Sequence, residues 1–402
     1  MKTQLHERLE TSLPEGFTVR GAQMEDIDPA LALINAWSQS VIQEAEITDV
    51  NAIRLEWKSP GFDPARDIRL VFAPNGEMAG YIEVWTTSKP LVHPWIWGRV
   101  HPNYEDLGIG TWMIQWAEAR ALQAIAHTPD GLRFAPRVGS FRQAEKSKKL
   151  FEGMGYAHIR SSYHMLIEMD EPAPEPVWSE GITLRTFNPE TNAEVVYRTV
   201  TESFRDHFGF VEEPFEEGFK RFKHFQLEYE GFDPTLLFLA MDGEEVAGIN
   251  ICRPHTFSGD PDLAWVSTLG VRRPWRKRGI GLALLRHSFN EFYRRGKRKV
   301  GLGVDAQNLT GALRLYENAG MHVHRSFDLY EKELRAGTEI SVQSLQQEIT
   351  SKPCEACPEG SARRSPFARL TTRSTHAKYP LCFLPDALYP QPRNNAGCFA
   401  GS

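Results

Sequence analysis

The chain says nearly the same thing twice, and any fold it adopts must accommodate that repeat. Glu105, Asp106, Leu107, Gly108, Ile109 and Gly110 lead into a helical stretch from Thr111 to Ala126. Arg276, Lys277, Arg278, Gly279, Ile280 and Gly281 lead into another, from Leu282 to Arg295. Val100 and Val271, Gly108 and Gly279, and Gly110 and Gly281 are all separated by the same number of residues. A second common spacing joins Gly16-Phe17-Thr18-Val19-Arg20 to Gly181-Ile182-Thr183-Leu184-Arg185, Leu150-Phe151-Glu152 to Leu315-Tyr316-Glu317, and Gly155 to Gly320. Small insertions in loops explain the change of spacing within a copy. Matches kept in one order point to two homologous domains of about 160 residues each, an ordinary domain size.

The boundaries follow. The first copy covers 16–169 and the second 181–335. Between them, 170–180 is an acidic, proline-rich linker; proline fixes φ and lacks a donor, so Asp170-Glu171-Pro172-Ala173-Pro174-Glu175-Pro176 reads as extended. Residues 336–402 carry scattered Pro, Ser, Arg and Cys with no helical or strand period, a composition that predicts disorder. Each copy opens with a strand (17–21 and 182–186). A hairpin follows, turning at Asn75-Gly76 or Asp242-Gly243, and a strand then ends at Val100 or Val271. In the second copy, a strand over Val300–Val304, a helix over Gly311–Ala319 and a last strand near Phe327–Glu333 complete the pattern. The layout is α/β, a mixed sheet flanked by helices.

Composition excludes several classes. A net charge of −6 gives no basic field for a nucleic-acid partner. No apolar run approaches the length of about 18 residues that spans a bilayer, and Met1–Leu13 is too polar for a secretory signal, so the cytoplasm is the expected compartment. The 5 cysteines form no disulfide framework. Cys252 reads as a small core residue, and Cys354, Cys357, Cys382 and Cys398 lack the tight second pair of a zinc site, so no metal is expected.

The motif at 276–281 suits a phosphate. A helix start offers unpaired N–H groups and a partial positive charge, glycines admit close backbone approach, and Arg276 and Arg278 supply cationic donors. A second glycine pattern, Gly301-Leu302-Gly303-Val304-Asp305-Ala306, fits a loose dinucleotide fingerprint, but its glycines fall inside a strand rather than after one, and it is rejected.

With Asn308, Ala312, Leu315, Tyr316 and Gly320 following Arg276, Gly279 and Gly281, the chain resembles the GCN5-related N-acetyltransferase superfamily, in a tandem arrangement. The resemblance covers 182–334 well and 17–168 more weakly. It implies two acyl-CoA N-acyltransferase-like domains and acetyl transfer from acetyl-CoA to an amine, by direct attack in a ternary complex. The acceptor would be a small-molecule or peptide amine. It further implies that pyrophosphate binds along Arg276, Arg278, Gly279, Ile280, Gly281, Leu282 and Ala283. The pantetheine arm would lie along Leu269 and Val271, with the Val271 amide polarising the thioester carbonyl. Asn308 would contact the arm or anchor the adjoining loop, and Tyr316 would protonate the departing thiolate.

The general base is the open role. Asp262 is the candidate; Asp260 and Asp262 also fit a turn beside Gly259 and Pro261, and Trp265 occupies the position where a carboxylate would be most useful. In the family, acceptor choice falls to the segment after the first strand, here Phe204 to Phe210 and then Glu212, Glu213, Glu216 and Glu217. Those residues suit either a cationic acceptor or a solvated helix face with Phe215, Phe219 and Phe222 turned to the core; His207 is either a helper base or structural. In the first copy Glu105 replaces the arginine, Phe151 the tyrosine and Gln143 the asparagine, so it keeps the fold and loses the chemistry. The rival to an enzyme is a non-catalytic acyl-CoA-binding or sensing protein.

Overall fold

A computed structural model of the chain describes residues 12–44, 49–256, 260–308 and 311–343. The first copy contributes β1 (Thr18–Arg20), α1 (Ile27–Ile42), α2 (Val50–Trp57), β2 (Ile68–Phe72), β3 (Met78–Trp85), β4 (Trp95–Val100), α3 (Ile109–Gln123), β5 (Arg137–Phe141), α4 (Glu145–Gly153) and β6 (Ala157–Glu168). The second contributes β7 (Ile182–Thr186), α5 (Pro189–Phe204), α6 (Phe215–Gln226), β8 (Leu237–Asp242), β9 (Glu245–Arg253), β10 (Leu263–Val271), α7 (Ile280–Arg294), β11 (Lys299–Asp305), α8 (Ala312–Asn318) and β12 (His322–Glu331). The hairpin glycines adopt the left-handed conformation their turns require, with φ 85° at Gly76 and 60° at Gly243.

All strands among the described residues join one 12-stranded sheet in the order β1-β2-β3-β4-β5-β12-β6-β11-β10-β9-β8-β7. The final strands are exchanged between the copies. β12 pairs antiparallel with β5 from Phe327↔Phe141 to Glu331↔Arg137, and β6 pairs antiparallel with β11 from Lys299↔Glu168 to Asp305↔Ser162. The two exchanged strands also pair with each other along nearly their whole length. β12 begins at His322, five residues before the expected strand, because His322 and Val323 pair with Leu166 and Met165. His322 to Ser326, with Val323 the single apolar residue among them, carry no strand period, and only the partner strand makes them one.

Helices cover both faces. α1 and α2 bury Trp37 and Trp57 against Tyr81, Trp95 and Trp97, and the same cluster takes in Phe327 and Leu329 of β12 and Phe225 of α6. On the opposite face α3 packs on Val71, Ile82 and Ile96. α7 buries Ile280, Ala283, Leu284 and Phe289, a helical period, against Val266, Val300 and Leu302, and β6 adds Met165. α5 and α6 close the last quarter through Tyr197, Val200 and Phe222 over Leu239 and Ile249. The copies therefore share their cores as well as their strands. Cys252 is buried in β9, as expected, and burial pushes its thiol pKa up. Among the described residues no helix is long and apolar enough to cross a membrane. The tail cysteines and 344–402 lie outside the described residues. Residues 336–343, expected within the unstructured tail, instead run across the first copy, held by bonds such as Thr338 N–H to the Gly131 carbonyl at 2.7 Å.

The exchange makes a mutational prediction. A Cβ at Gly139 of β5 would lie 2.3 Å from the Phe327 ring of β12. Gly139→Ala should therefore cost about 1–3 kcal/mol by overpacking, read as a lowered thermal midpoint with the fold retained by circular dichroism.

Candidate functional site

β10 and β11 pair in parallel from Leu263↔Lys299 to Val266↔Leu302 and then part, although β10 continues to Val271 and β11 to Asp305. The ladder to β9 slips between Val266 and Thr268, leaving Ser267 as a bulge just where the wedge opens. Arg272 N–H bonds to the Ala247 carbonyl on β9. Since backbone groups alternate along a strand, the amides of Val271 and Leu269 point the other way, into the wedge. The Val271 carbonyl points there too, and it accepts from Arg276 Nε at 3.0 Å.

The turn beyond Val271 is a backbone cradle. Lys277 has φ 63° and Gly279 φ 80°, and the first helical bond of α7 runs from Ala283 N–H to the Gly279 carbonyl. The helix's leading amides, at Ile280, Gly281 and Leu282, thus lack helical partners and face outward from its start. Two expected phosphate ligands do other work with their side chains. Arg276 is a latch: its Nη2 bonds the Ser203 carbonyl at 2.9 Å and its Nη1 bonds Asp206 at 2.6 Å, with Arg273 on the same carboxylate. Arg278 is tied to Asp242 at 3.4 Å and to the Glu180 carbonyl at 3.0 Å, on a more exposed side chain. The two arginines hold the turn against α5 and β8. The sequence placed them at this turn but could not reveal that Asp206, 70 residues earlier in the chain, would bond the first.

Gly281 serves packing as well. A Cβ there would meet Leu315 Cδ1 at 3.0 Å, and in the first copy Gly110 stands in the same relation to Leu150, at 2.9 Å. Leu315 lies on α8 next to Tyr316, which is buried in the cluster containing Val266, Leu302, Val304 and Ile280 around the wedge. Asn308 caps the approach to α8, its Oδ1 accepting from Ala312 N–H at 3.4 Å, which is the loop-anchoring alternative.

The proposed base is misplaced. Asp262 is exposed and precedes the paired part of β10; its carbonyl accepts from Lys299 N–H and its own N–H bonds Asp260 Oδ1 at 2.9 Å. Five residues of strand, about 16 Å, separate it from the bulge. Asp260 and Asp262 are turn residues, with Asp260 also paired to Lys299 at 3.0 Å. Trp265 lies over Gly301, whose Cβ would be 2.4 Å from the indole, so the rejected fingerprint is indeed strand β11. The group missed at the opening is Asp305, at the end of β11, paired with Arg160 of β6 at 2.7 Å. No sequence signal joins these two, because only the strand exchange does. His207 feels the charges of Arg276, Asp305 and Asp206; burial first, then Arg276, pushes it down to about 4, leaving a neutral imidazole. The acidic residues after it are mostly spoken for: Glu213 is buried with Arg221, and Glu217 pairs with Lys89 at 2.7 Å. Phe222 is buried, and Phe215 and Phe219 pack on Tyr197, so the helix-face reading of this segment holds.

The first copy repeats the backbone and reverses the charge. Asp106 has φ 63° and Gly108 φ 80°, the values of Lys277 and Gly279. Yet Glu105 and Asp106 there are clamped by Lys146, each at 2.8 Å. Its wedge is an open cleft lined by Ile96, Val100, Gly108, Gly110 and Phe151. Its β3–β4 ladder runs without the bulge.

These features match known proteins. The model of the acetyltransferase (GNAT) family matches residues 196–321. A GCN5-related N-acetyltransferase from Sphaerobacter thermophilus is 33% identical, with a TM-score of 0.68 over 82% of this chain and 99% of its own. The chain belongs to the GCN5-related N-acetyltransferase family. A mycothiol acetyltransferase of Salinispora arenicola is 30% identical over 256 residues, 62% of this chain and 76% of that protein. A tandem GNAT protein from the clavulanic acid biosynthesis pathway, 15% identical with a TM-score of 0.58, shares the fold over 80% of this chain and 100% of its own. The protein is thus an acyltransferase of a family that uses acetyl-CoA as co-substrate.

The latch is testable. Asp206→Asn should weaken acetyl-CoA binding about tenfold, some 1.4 kcal/mol, in calorimetric titration, by loosening the turn that Arg273 and Arg276 tie to Asp206. Bonds from Arg273 and Arg276 outweigh desolvation and hold Asp206 down to about 2. Its contribution to stability is therefore present above the ordinary aspartate pKa, near 4, and lost as pH falls through about 2. The variant should show a flatter loss of thermal stability across that window than the parent.

Proposed function

We propose that the protein moves the acetyl group of acetyl-CoA to the primary amine of a small-molecule acceptor, with the chemistry confined to the second copy. The observation that carries this reading is the wedge after Val266 and Leu302, with the Leu269 and Val271 amides turned into it and the α7 cradle at its end. The cradle amides at Ile280, Gly281 and Leu282 bind pyrophosphate at the helix start, and Lys277 brings positive charge beside them. Ala283 and Val271 line the same approach. Bound there, acetyl-CoA supplies an activated acyl group on a sulfur leaving group. Leu269, nearer the bulge than Val271, offers its N–H to the thioester carbonyl and favours charge on that oxygen.

Attack by the amine nitrogen forms the amide bond as the C–S bond breaks. Tyr316 donates its phenolic proton to the leaving thiolate, and the proton given up by the amine passes to solvent and restores the phenol. His207 and Asp305 stand on the acceptor side of the opening. An imidazole held down to about 4 is a poor proton carrier near neutral pH but a good hydrogen-bond acceptor, so His207 orients the amine and leaves its proton to water. Phe151 in the corresponding place of the first copy lines that copy's cleft, which supports an inward-facing Tyr316 by the internal symmetry.

The relatives named mycothiol acetyltransferase support a small-molecule acceptor, and the acceptor those enzymes use is the first to assay, followed by other amines. The rival, a protein that binds acyl-CoA without turnover, is separated by one substitution. Tyr316→Phe should lower kcat by about 10²–10⁴-fold in a thiol-release assay while leaving acetyl-CoA affinity unchanged in calorimetry, with one site per chain. Unchanged turnover would remove Tyr316 from the mechanism; a second site would return the first copy to the list of cofactor-binding domains.

A further inference from the structure

We propose that the first copy, together with the segment that follows β12, is a clamp that fixes the acceptor-facing loop of the second copy, residues 207–214, beyond the Asp206 latch that Arg273 and Arg276 hold by themselves. The inference rests on the preceding reading only in taking that loop, which carries His207, as the acceptor side of the wedge.

Residues 332–343 form a strap. Leaving β12, the strap exchanges bonds with the first copy: Leu334 N–H to the Phe134 carbonyl at 2.9 Å, Phe134 N–H to the Arg335 carbonyl at 2.9 Å, and Arg133 N–H to the Thr338 carbonyl at 3.0 Å. At Gly337 the backbones touch, since a Cβ would stand 2.5 Å from the Gly131 carbonyl oxygen. Glu339 then pairs with His93 at 3.2 Å and with Arg133 at 3.1 Å. Immediately after the buried Ser341, the strap meets the loop: Gly209 N–H bonds the Val342 carbonyl at 2.8 Å and Val342 N–H bonds the Phe210 carbonyl at 2.9 Å.

The first copy grips the same loop directly. The Arg160 guanidinium lies 4.2 Å from the centre of the Phe208 ring while its Nε bonds Asp305, and Arg137 approaches the same ring at 5.1 Å. Arg137 is itself buried and bonded to Glu331 at 2.9 Å. Past the loop, Arg221 reaches the Thr87 carbonyl at 3.3 Å and His224 the Leu55 carbonyl at 2.6 Å. A segment without regular structure, poor in internal bonds, is thus fixed by contacts from another domain. That is a reason to retain a copy whose own cradle has become acidic. Arg137, Arg160, Gly337 and Glu339 are positioning residues: each acts on His207 and Phe208 through the loop's shape.

The test uses Gly337→Ala, which forces the strap off Gly131, and Glu339→Gln, which removes its charge pairing, each in the full chain. Hydrogen exchange should speed up about tenfold at the Gly209 amide in both variants and stay unchanged across 276–283. Acetyl-CoA affinity should hold, and with glucosamine as probe amine the KM for the amine should rise several-fold more than that for acetyl-CoA. A chain ended after Gln343, which keeps every strap bond among the described residues, should behave as the parent. Unchanged exchange at Gly209, equal rises at 276–283, or a Gln343-ended chain that behaves like Gly337→Ala would each overturn the clamp. If glucosamine is not acetylated, the kinetic arm bears on the acceptor reading, and the exchange arm alone decides the clamp.

Discussion

Past Val266 and Leu302, two parallel strands separate, and every backbone group that turns into the gap must find a partner that is not a strand. The rest of the site answers that requirement. The Val271 carbonyl is met by Arg276, the Val271 and Leu269 amides are left facing the opening, and the bulge at Ser267 aims them. A side-chain pocket of the same size would demand many specific residues. A parted ladder needs only that two strands stop pairing and that something hold them apart. Here the holders are Ser203 at the end of α5 and Asp206 just beyond it, on one side, and the α7–α8 contact of Gly281 with Leu315 on the other.

This explains why glycines outlive charges in the repeat. Gly108 and Gly279 share φ 80°, a backbone state that an L side chain resists, and Gly110 and Gly281 admit a leucine from the following helix. Losing any of these would strain the fold whether or not phosphate binds. Arg276 and Arg278 hold the turn from outside its backbone, through Asp206 and Asp242, and in the first copy Glu105 and Asp106, clamped by Lys146, fill the same turn with the opposite charge and the same backbone. Glycine pairs in such a turn therefore report on folding, whichever charges stand beside them.

The sequence disclosed what is local. The Asn-Gly and Asp-Gly hairpins, the helices after each glycine pair and the strands ending at Val100 and Val271 carry their own periods and turn residues, and they lie where the pattern puts them. What is non-local was silent. Nothing in Ala157–Glu168 or His322–Glu331 says that each will complete the other copy's sheet, because strand pairing depends on partners far along the chain. The same blindness moved Asp262 into the site and kept Asp305 and Arg160 out of it. It could not show that Arg276, placed at the turn, also holds Asp206, and it read 336–343 as tail because a strap bonded mainly to distant residues has no period of its own.

The exchange also bears on why two copies persist in one chain. Separate domains joined by a linker can lose one member without harm to the other. With β6 completing the sheet of the second copy and β12 that of the first, removal of either half would expose the edges of β11 or β5 and strip residues from both cores. A first copy relieved of cofactor binding is therefore still held under selection for pairing, packing and shape. Its surface facing the second copy, at Arg137, Arg160, Thr87 and Leu55, is then the part of it closest to function, and its own acidic turn the part farthest from it.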